Sequence, residues 1–418
     1  MAYDEITALL GGWPGFQLVD VRREEATAQQ PATRVVLSLE ALPGQTRLCS
    51  RCGQAVAEVH DVTPREVRDL PILDAETWLI LPRVRVQCPQ CGPTIEVVAW
   101  LDRYARMTKR FADSVARLAR VLPIKQVAEH FGLSWDTVKV IDRAALEARL
   151  GPVDLRGVRQ IAIDEFAIQK GHRYATSVVD PVTTRVLWVG RGRGREDLRP
   201  FFELLGPEGC AHLEAAVMDM SEAYELETRA HCPQAAIVYD LFHVVAKYGR
   251  EVIDRVRVDE TNRVARARPR KDGRIRALRR VIKGTRWLLL RNRANVTAPR
   301  DRLRLREVLA ANRRLWVVYL LKDALKQLWR YRYRAVALRA WQQWHGWAIR
   351  SRIPALVVFA RRLQPKLAGI LAHCQYPLHT GILEGMNNKI KVIKRMAYGF
   401  RDDAYFFLKI RAAFPGNP

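Results

Sequence analysis

Three acids and four cysteines are the residues of this 418-residue chain whose types and spacing could carry chemistry. Asp164 closes the apolar run Arg159-Gln-Ile-Ala-Ile, and Asp219 closes Glu214-Ala-Ala-Val-Met. Glu384 stands at the front edge of a helix-patterned stretch from Gly381 to Phe400. Carboxylates are the donors that Mg²⁺ and Mn²⁺ prefer. Two such ions shared by three carboxylates activate a water or a 3′ hydroxyl and stabilise the leaving oxygen of an in-line phosphoryl displacement. Asp240, three residues before His243, closes another apolar run. Glu165 replaces Asp164 only if the strand register slips by one, which would turn it to the opposite face.

The cysteines form two knuckles, Cys49-Ser-Arg-Cys52-Gly and Cys88-Pro-Gln-Cys91-Gly, separated by a spacer of 35 residues. In each, glycine lets the backbone turn so that two thiolates converge on one ion. Four sulfurs fill a tetrahedral zinc site with no open position, so the metal is structural, and the strand-rich spacer around Trp78 to Val86 suits a zinc ribbon.

The surrounding pattern supplies the elements that must position these groups. Strands are expected at Phe16 to Val21 and Val35 to Leu39. From residue 111 to 150 the period is helical. Pro123 to Phe131, the Gly132 turn and a helix capped by Ser134 have the grammar of a helix-turn-helix with Ala128 at the packing point. Trp135, Thr137 and Lys139 would open its DNA-reading helix. Beyond residue 158 come three strands (Arg159–Phe166, Arg173–Pro181, Thr184–Gly190), a helix (Glu196–Leu205), a strand (Glu214–Asp219), a helix (Glu222–Ala230) and a strand (Ala235–Asp240). That order is the order of the ribonuclease H fold, in which Asp164, Asp219 and Glu384 would meet at one sheet edge. In the last helix Met386, Ile390, Ile393 and Ala397 share an apolar face, with Glu384, Asn388, Lys391 and Arg395 on another. Thr380 is its candidate N-cap, Lys394 and Arg395 complement its C-terminal dipole, and Gly399 stops it.

Net charge is +26, and all of the excess lies late in the chain. Residues 1–260 carry 33 Lys and Arg against 37 acids, whereas 261–340 carry 25 against 4 and 341–418 carry 12 against 3. So many cations repel one another unless a polyanion is bound, which points to a phosphate backbone rather than to a membrane. Arg266, Arg268, Arg270 and Lys271 cluster before a break at Gly273, within a helical stretch (246–378) whose six tryptophans are expected to be core. No apolar run has membrane-spanning length, and the first 27 residues lack a leader pattern, so a soluble cytoplasmic protein is expected.

Met218-Asp219-Met220-Ser221, Tyr239-Asp240-Leu241-Phe242-His243-Val244 and Glu384-Gly-Met-Asn387-Asn-Lys-Ile-Lys391 through Lys394-Arg395-Met-Ala-Tyr398-Gly399-Phe400-Arg401 together resemble the bacterial insertion-sequence transposases of the ISL-three group, which are DDE-type enzymes. Asp164-Glu165-Phe166, with Lys170, Gly171, His172 and Tyr174, adds to the likeness. The resemblance covers essentially the whole chain and implies a multidomain α+β and α/β protein. Its expected parts are a zinc ribbon (1–102), a helix-turn-helix (103–152), a ribonuclease H-like core (153–245 and 379–418) and an all-helical basic insertion (246–378). It implies Asp164, Asp219 and Glu384 as catalytic acids holding two Mg²⁺ or Mn²⁺ ions; Asp240 is the alternative for the second acid, since Asp240 and His243 resemble an aspartate-x-x-histidine element of related transposases, which would put His243 near the scissile phosphate as an accessory group. It also implies that the insertion grips transposon-end DNA, with Asn388, Lys391, Lys394 and Arg395 facing DNA. The partners are then duplex DNA, both terminal inverted repeats and target, with at least a dimer on DNA and nucleoid association when bound. A catalytically inactive, captured transposase acting as a DNA-binding regulator is the alternative. An RNA-processing nuclease of the same fold is disfavoured by the N-terminal modules, which look like readers of duplex DNA.

Overall fold

The computed structural model describes residues 2–169, 171, 173–266, 273–291, 293–378 and 381–416. It divides into two units, Met1–Gly151 and Pro152–Pro418.

In the first unit, helix α1 (Ala2–Leu9) precedes strands β1 (Phe16–Glu24), β2 (Arg34–Ala41), β3 (Val59–Ile72), β4 (Ala75–Cys88) and β5 (Gly92–Ile95). They pair in the order β1-β2-β4-β3, with β5 on β4. β3 was not foreseen as a strand: Pro64 lies within it, directly opposite Pro82 of β4. Proline argues against a strand because it cannot donate to the ladder. Helices α2 (Lys109–Leu118), α3 (Ile124–Phe131) and α4 (Trp135–Leu150) follow. Their starts and stops are local chemistry. Thr108 and Ser134 accept hydrogen bonds from Phe111 N and Thr137 N, and Gly132 takes the left-handed conformation, φ +62°, that ends α3. Phe111, Val115, Val127, Ala128, Phe131 and Val138 make the helical core. Buried Asp69 joins sheet to helices, accepting from Trp13 Nε1 (2.9 Å), Thr108 Oγ1 (2.6 Å) and Arg110 Nε (2.8 Å).

The second unit is built on β6 (Gln160–Gln169), β7 (Arg173–Asp180), β8 (Arg185–Arg191), β9 (Ala215–Met218) and β10 (Ala236–Tyr239), with α5 (Arg195–His212) and α6 (Glu222–His231) between the last three. The sheet order is β10-β9-β6-β7-β8, antiparallel on one side of β6 and parallel on the other. α5 runs past the expected Leu205 to His212, broken where Gly206 leaves helical geometry (φ 71°).

Helix α7 (Leu241–Tyr248) continues through a π-helical turn (Gly249–Asp254) into α8 (Arg255–Arg266). Then come α9 (Gly273–Gly284), α10 (Arg286–Leu290), α11 (Pro299–Ala311), α12 (Arg313–Gln327), α13 (Arg334–Arg350), α14 (Pro354–Leu363) and α15 (Leu367–Leu371). α16 (Gly381–Met396) and α17 (Asp403–Ala413) complete the chain. α12 turns Leu315, Val318, Tyr319, Leu321 and Leu325 inward, so Trp316 faces out. The expectation of core tryptophans therefore holds for Trp341 and Trp344, 3% and 1% exposed, and fails for Trp287, Trp316 and Trp347, which are 68%, 49% and 44% exposed.

Both sheet faces are covered, which explains why β6 reads as a nearly continuous apolar run. Ile161 and Ile163 pack with α5, α6 and the helices from α7 onward, in a single apolar cluster. Ala162, Phe166 and Ile168 pack on the other face with Leu383, Met386 and Ile390 of α16 and Phe406 and Ile410 of α17. At roughly 1.5–3 kcal/mol for each buried side chain, the three α16 residues contribute about 5–9 kcal/mol to docking this helix. The apolar face was foreseen through Met386 and Ile390; Leu383 extends it one turn earlier, and Ile393 is half-buried.

Candidate active site

Parallel register sets the site. Ile161 pairs with Ala216 and Ala162 with Val217, while Val217 pairs with Val238 and Met218 with Tyr239. Carried one residue past the strand ends, this brings Asp164, Asp219 and Asp240 into one row across β6, β9 and β10. Asp164 and Asp240 are 8% and 7% exposed, and Asp219 is half-buried.

Each carboxylate is held by its local backbone. Asp164 Oδ1 accepts from Glu165 N at 2.8 Å, Asp219 Oδ1 from Ser221 N at 2.9 Å, and Asp240 Oδ1 from Phe242 N at 3.0 Å, capping α7. His243, on the first turn of α7, reaches back over the row: its Nε2 lies 3.7 Å from Asp240 Oδ2 and 3.9 Å from Asp164 Oδ1. Burial pushes Asp164 up to about 6, with His243 opposing the rise and the Asp219 charge adding to it. Glu165 turns the other way, to Arg193 Nη1 at 3.3 Å, as strand alternation requires.

From the opposite side α16 supplies Asn387, whose Nδ2 donates to Asp164 Oδ2 at 2.6 Å. Glu384 lies one turn earlier on the same helix and is exposed, as are Asn388, Lys391 and Arg395. Lys394 Nζ donates to Ala167 O at 2.8 Å. Beside the row, Glu165, Phe166, Ala167, Asn387, Ile390, Lys391 and Lys394 line a cavity of about 190 Å³.

Residues 161–410, more than half of the chain, match the ISL3 family model described as a transposase. The chain belongs to the ISL3 transposase family. Residues 96–145 match the helix-turn-helix domain of transposase family ISL3, and 45–91 match the zinc-finger of transposase IS204/IS1001/IS1096/IS1165. The chain is 50% identical over 410 residues to the transposase for insertion sequence element IS1001 of Bordetella parapertussis, covering 98% of this chain and 97% of that one. It is 31% identical over 412 residues to the transposase for insertion sequence element IS1557 of Mycobacterium tuberculosis, covering 94% and 91%. Membership of the ISL3 family supports a nucleic-acid-processing enzyme acting in the transposition of insertion-sequence elements, and its helix-turn-helix implies DNA binding. No helix among the described residues is long and apolar enough to cross a membrane.

The zinc-finger match falls on a built thiol cluster. The sulfurs of Cys49, Cys52, Cys88 and Cys91 all lie within 4.8 Å of one another, with Cys52 and Cys88 3.6 Å apart. Gly53 and Gly92 turn the two knuckles at φ +75° and +69°. The Cys52 backbone N–H lowers the Cys49 thiol to about 6, while burial pushes Cys91 up to about 12. Thiolates this close cannot all ionise together without a cation, and four sulfurs at this spacing suit zinc. Among the described residues no equally tight group includes the acids of the β6 edge.

In the helix-turn-helix of this ISL3 member, Trp135 is exposed at the start of α4 with Lys139 Nζ 5.5 Å from its ring centre, and Thr137 Oγ1 is 2.8 Å from Ser134 Oγ. Arg266 is exposed at the end of α8. Arg268, Arg270, Lys271, Lys170, His172 and Thr380 lie outside the described residues.

Asn387 is the site residue that sequence reasoning passed over in favour of Asn388. A signal existed: Asn387 sits three residues after Glu384 and beside the apolar Met386, at the boundary of the docked face.

Proposed function

We propose that the chain cleaves DNA at the ends of its insertion element and joins the freed 3′ hydroxyls to target DNA. Asp164, Asp219 and Glu384 are the catalytic acids of a ribonuclease H-like core formed by 153–245 and 379–418. The observation that carries this reading is the row of strand-end aspartates with α16 packed beside it. The strand order, with β6 central and two parallel strands on one side, supports the ribonuclease H-like assignment.

All-oxygen donors on a buried edge suit Mg²⁺ or Mn²⁺, and Asp240 Oδ2 is buried without a hydrogen-bond partner among the described residues. Asp164, Asp219 and Glu384 would hold two such ions, which when bound lower the pKa of the attacking water or hydroxyl and offset charge on the leaving oxygen. Asp219 is preferred as second acid because its strand adjoins β6, whereas β10 lies one strand further out, roughly 5 Å more distant. Asp240 then orients His243 over Asp164, where the imidazole can hold a proton or contact the scissile phosphate.

The remaining parts bind DNA. Trp135, Thr137 and Lys139 read duplex ends, and the zinc ribbon, with one structural Zn²⁺, steadies that module. The basic helices of 246–378, Arg266 among them, grip end DNA, and Asn388, Lys391, Lys394 and Arg395 follow its backbone past the acids. Two ends must be processed together, so the active form is at least a homodimer on DNA.

Asp219→Asn and Glu384→Gln should each abolish Mg²⁺-dependent cleavage of end DNA while leaving end binding intact. Wild-type cleavage by the Glu384 variant refutes the assignment. Retained cleavage in Asp219→Asn together with its loss in Asp240→Asn exchanges the two aspartates.

A further inference from the structure

We propose that Asn387 is a positioning residue of the catalytic edge, whose amide holds Asp164 and thereby sets α16, and with it Glu384, against β6. This rests on the reading of that edge as the cation site.

The apolar face of α16 supplies most of its docking energy, but apolar contacts are not directional and tolerate rotation and sliding of a helix. The Asn387 Nδ2–Asp164 Oδ2 hydrogen bond, 2.6 Å long and made to a charged acceptor, is directional. Glu384 lies three residues back, about 60° around the helix and about 4.5 Å along its axis. Fixing Asn387 therefore fixes where Glu384 can reach.

The bond also orients Asp164 itself. Asp164 Oδ1 takes Glu165 N–H and Oδ2 takes the Asn387 amide, so the carboxylate cannot rotate, yet each oxygen keeps a lone pair for a cation. An amide suits this position because it donates without charge. A lysine at 387 would compete with the cation, and an aspartate would repel Asp164.

Groups that orient metal ligands typically change metal affinity or activity by about 10–100-fold when removed. The experiment uses the full-length protein and end DNA, titrated with Mn²⁺. One readout is the Mn²⁺ half-point for cleavage; the other, independent of activity, is the half-point for the Mn²⁺-induced rise in melting temperature. Asn387→Ala should raise both by about tenfold or more while end binding without added Mn²⁺ stays within about twofold of wild type. Asn387→Leu, close in size and without a donor, should shift both half-points as Asn387→Ala does, which simple loss of packing would not produce. Val392→Ala, exposed on the same helix, should match wild type. If Asn387→Ala does not fold, Asn387→Ser decides by the same two half-points. Unchanged half-points overturn the proposal, as does a loss of end binding without added Mn²⁺ equal to the loss of cleavage. A wild-type protein with no metal-dependent cleavage overturns the proposed function and this inference with it. Wild-type cleavage with unshifted variants overturns this inference alone.

Discussion

Replacing Asp164 by asparagine should abolish cleavage and, in the absence of metal, make the protein more stable. Burial raises this carboxyl from 3.8 to about 6. Its folded-state pKa lies above the unfolded value, so the folded chain binds the extra proton between the two, and stability falls as pH rises through that window. Above pH 6 the full cost applies, about two pKa units or roughly 3 kcal/mol. Asparagine keeps the shape and removes the charge, and the Asn387 amide can turn its oxygen toward the new donor. In EDTA at pH 7.5, Asp164→Asn should therefore melt roughly 6 °C higher than wild type, taking about 2 °C per kcal/mol for a unit of this size. At pH 4, close to the unfolded value, the gap should shrink to about half a kcal/mol. Adding Mg²⁺ at about a hundred times its dissociation constant should stabilise wild type alone by roughly 2.7 kcal/mol and nearly close the gap at pH 7.5. Differential scanning fluorimetry across pH, with EDTA or Mg²⁺, measures all three. Equal melting temperatures in EDTA at pH 7.5, or a gap that does not narrow at pH 4, would refute the reasoning.

Two further tests probe the cysteine cluster and the packing of β10. Cys52→Ser should release close to one zinc per chain, measured by atomic absorption, and weaken end binding, whereas retention of zinc would contradict the four-sulfur site. Gly369→Ala places a methyl 2.5 Å from the Tyr239 ring and 3.1 Å from Ile237 O, at the end of the strand that leads into Asp240. It should cost about 1–3 kcal/mol by overpacking and lower cleavage along with melting temperature; a neutral effect in chemical denaturation would show that β10 is not clamped there.

Chemistry that is local in sequence was legible in sequence. The Cys-x-x-Cys-Gly knuckles, the Ser134 cap, the Gly132 turn and the switch from period 3.6 to period 2 near residue 158 each involve neighbours a few residues apart, so their physics is written in the residue order. The strand-end aspartates Asp164, Asp219 and Asp240 could also be singled out, because each ends an apolar run. The mostly polar run of β3, with Pro64 within it, does not read as a strand, and only its pairing with β4 makes it one. The inward and outward tryptophans of the insertion depended on which helix face found a partner. Three decisions belonged to tertiary structure alone. Parallel pairing of β6, β9 and β10 turned Asp164, Asp219 and Asp240, spread over some 76 positions, into one row. Packing of α16 on β6 chose Asn387 rather than Asn388 as the partner of Asp164. Burial of that edge, which sequence does not measure, raised the Asp164 pKa. Residue order specifies which groups can do chemistry, while distance, register and desolvation, which arise only when remote segments pack, specify which of them do it together.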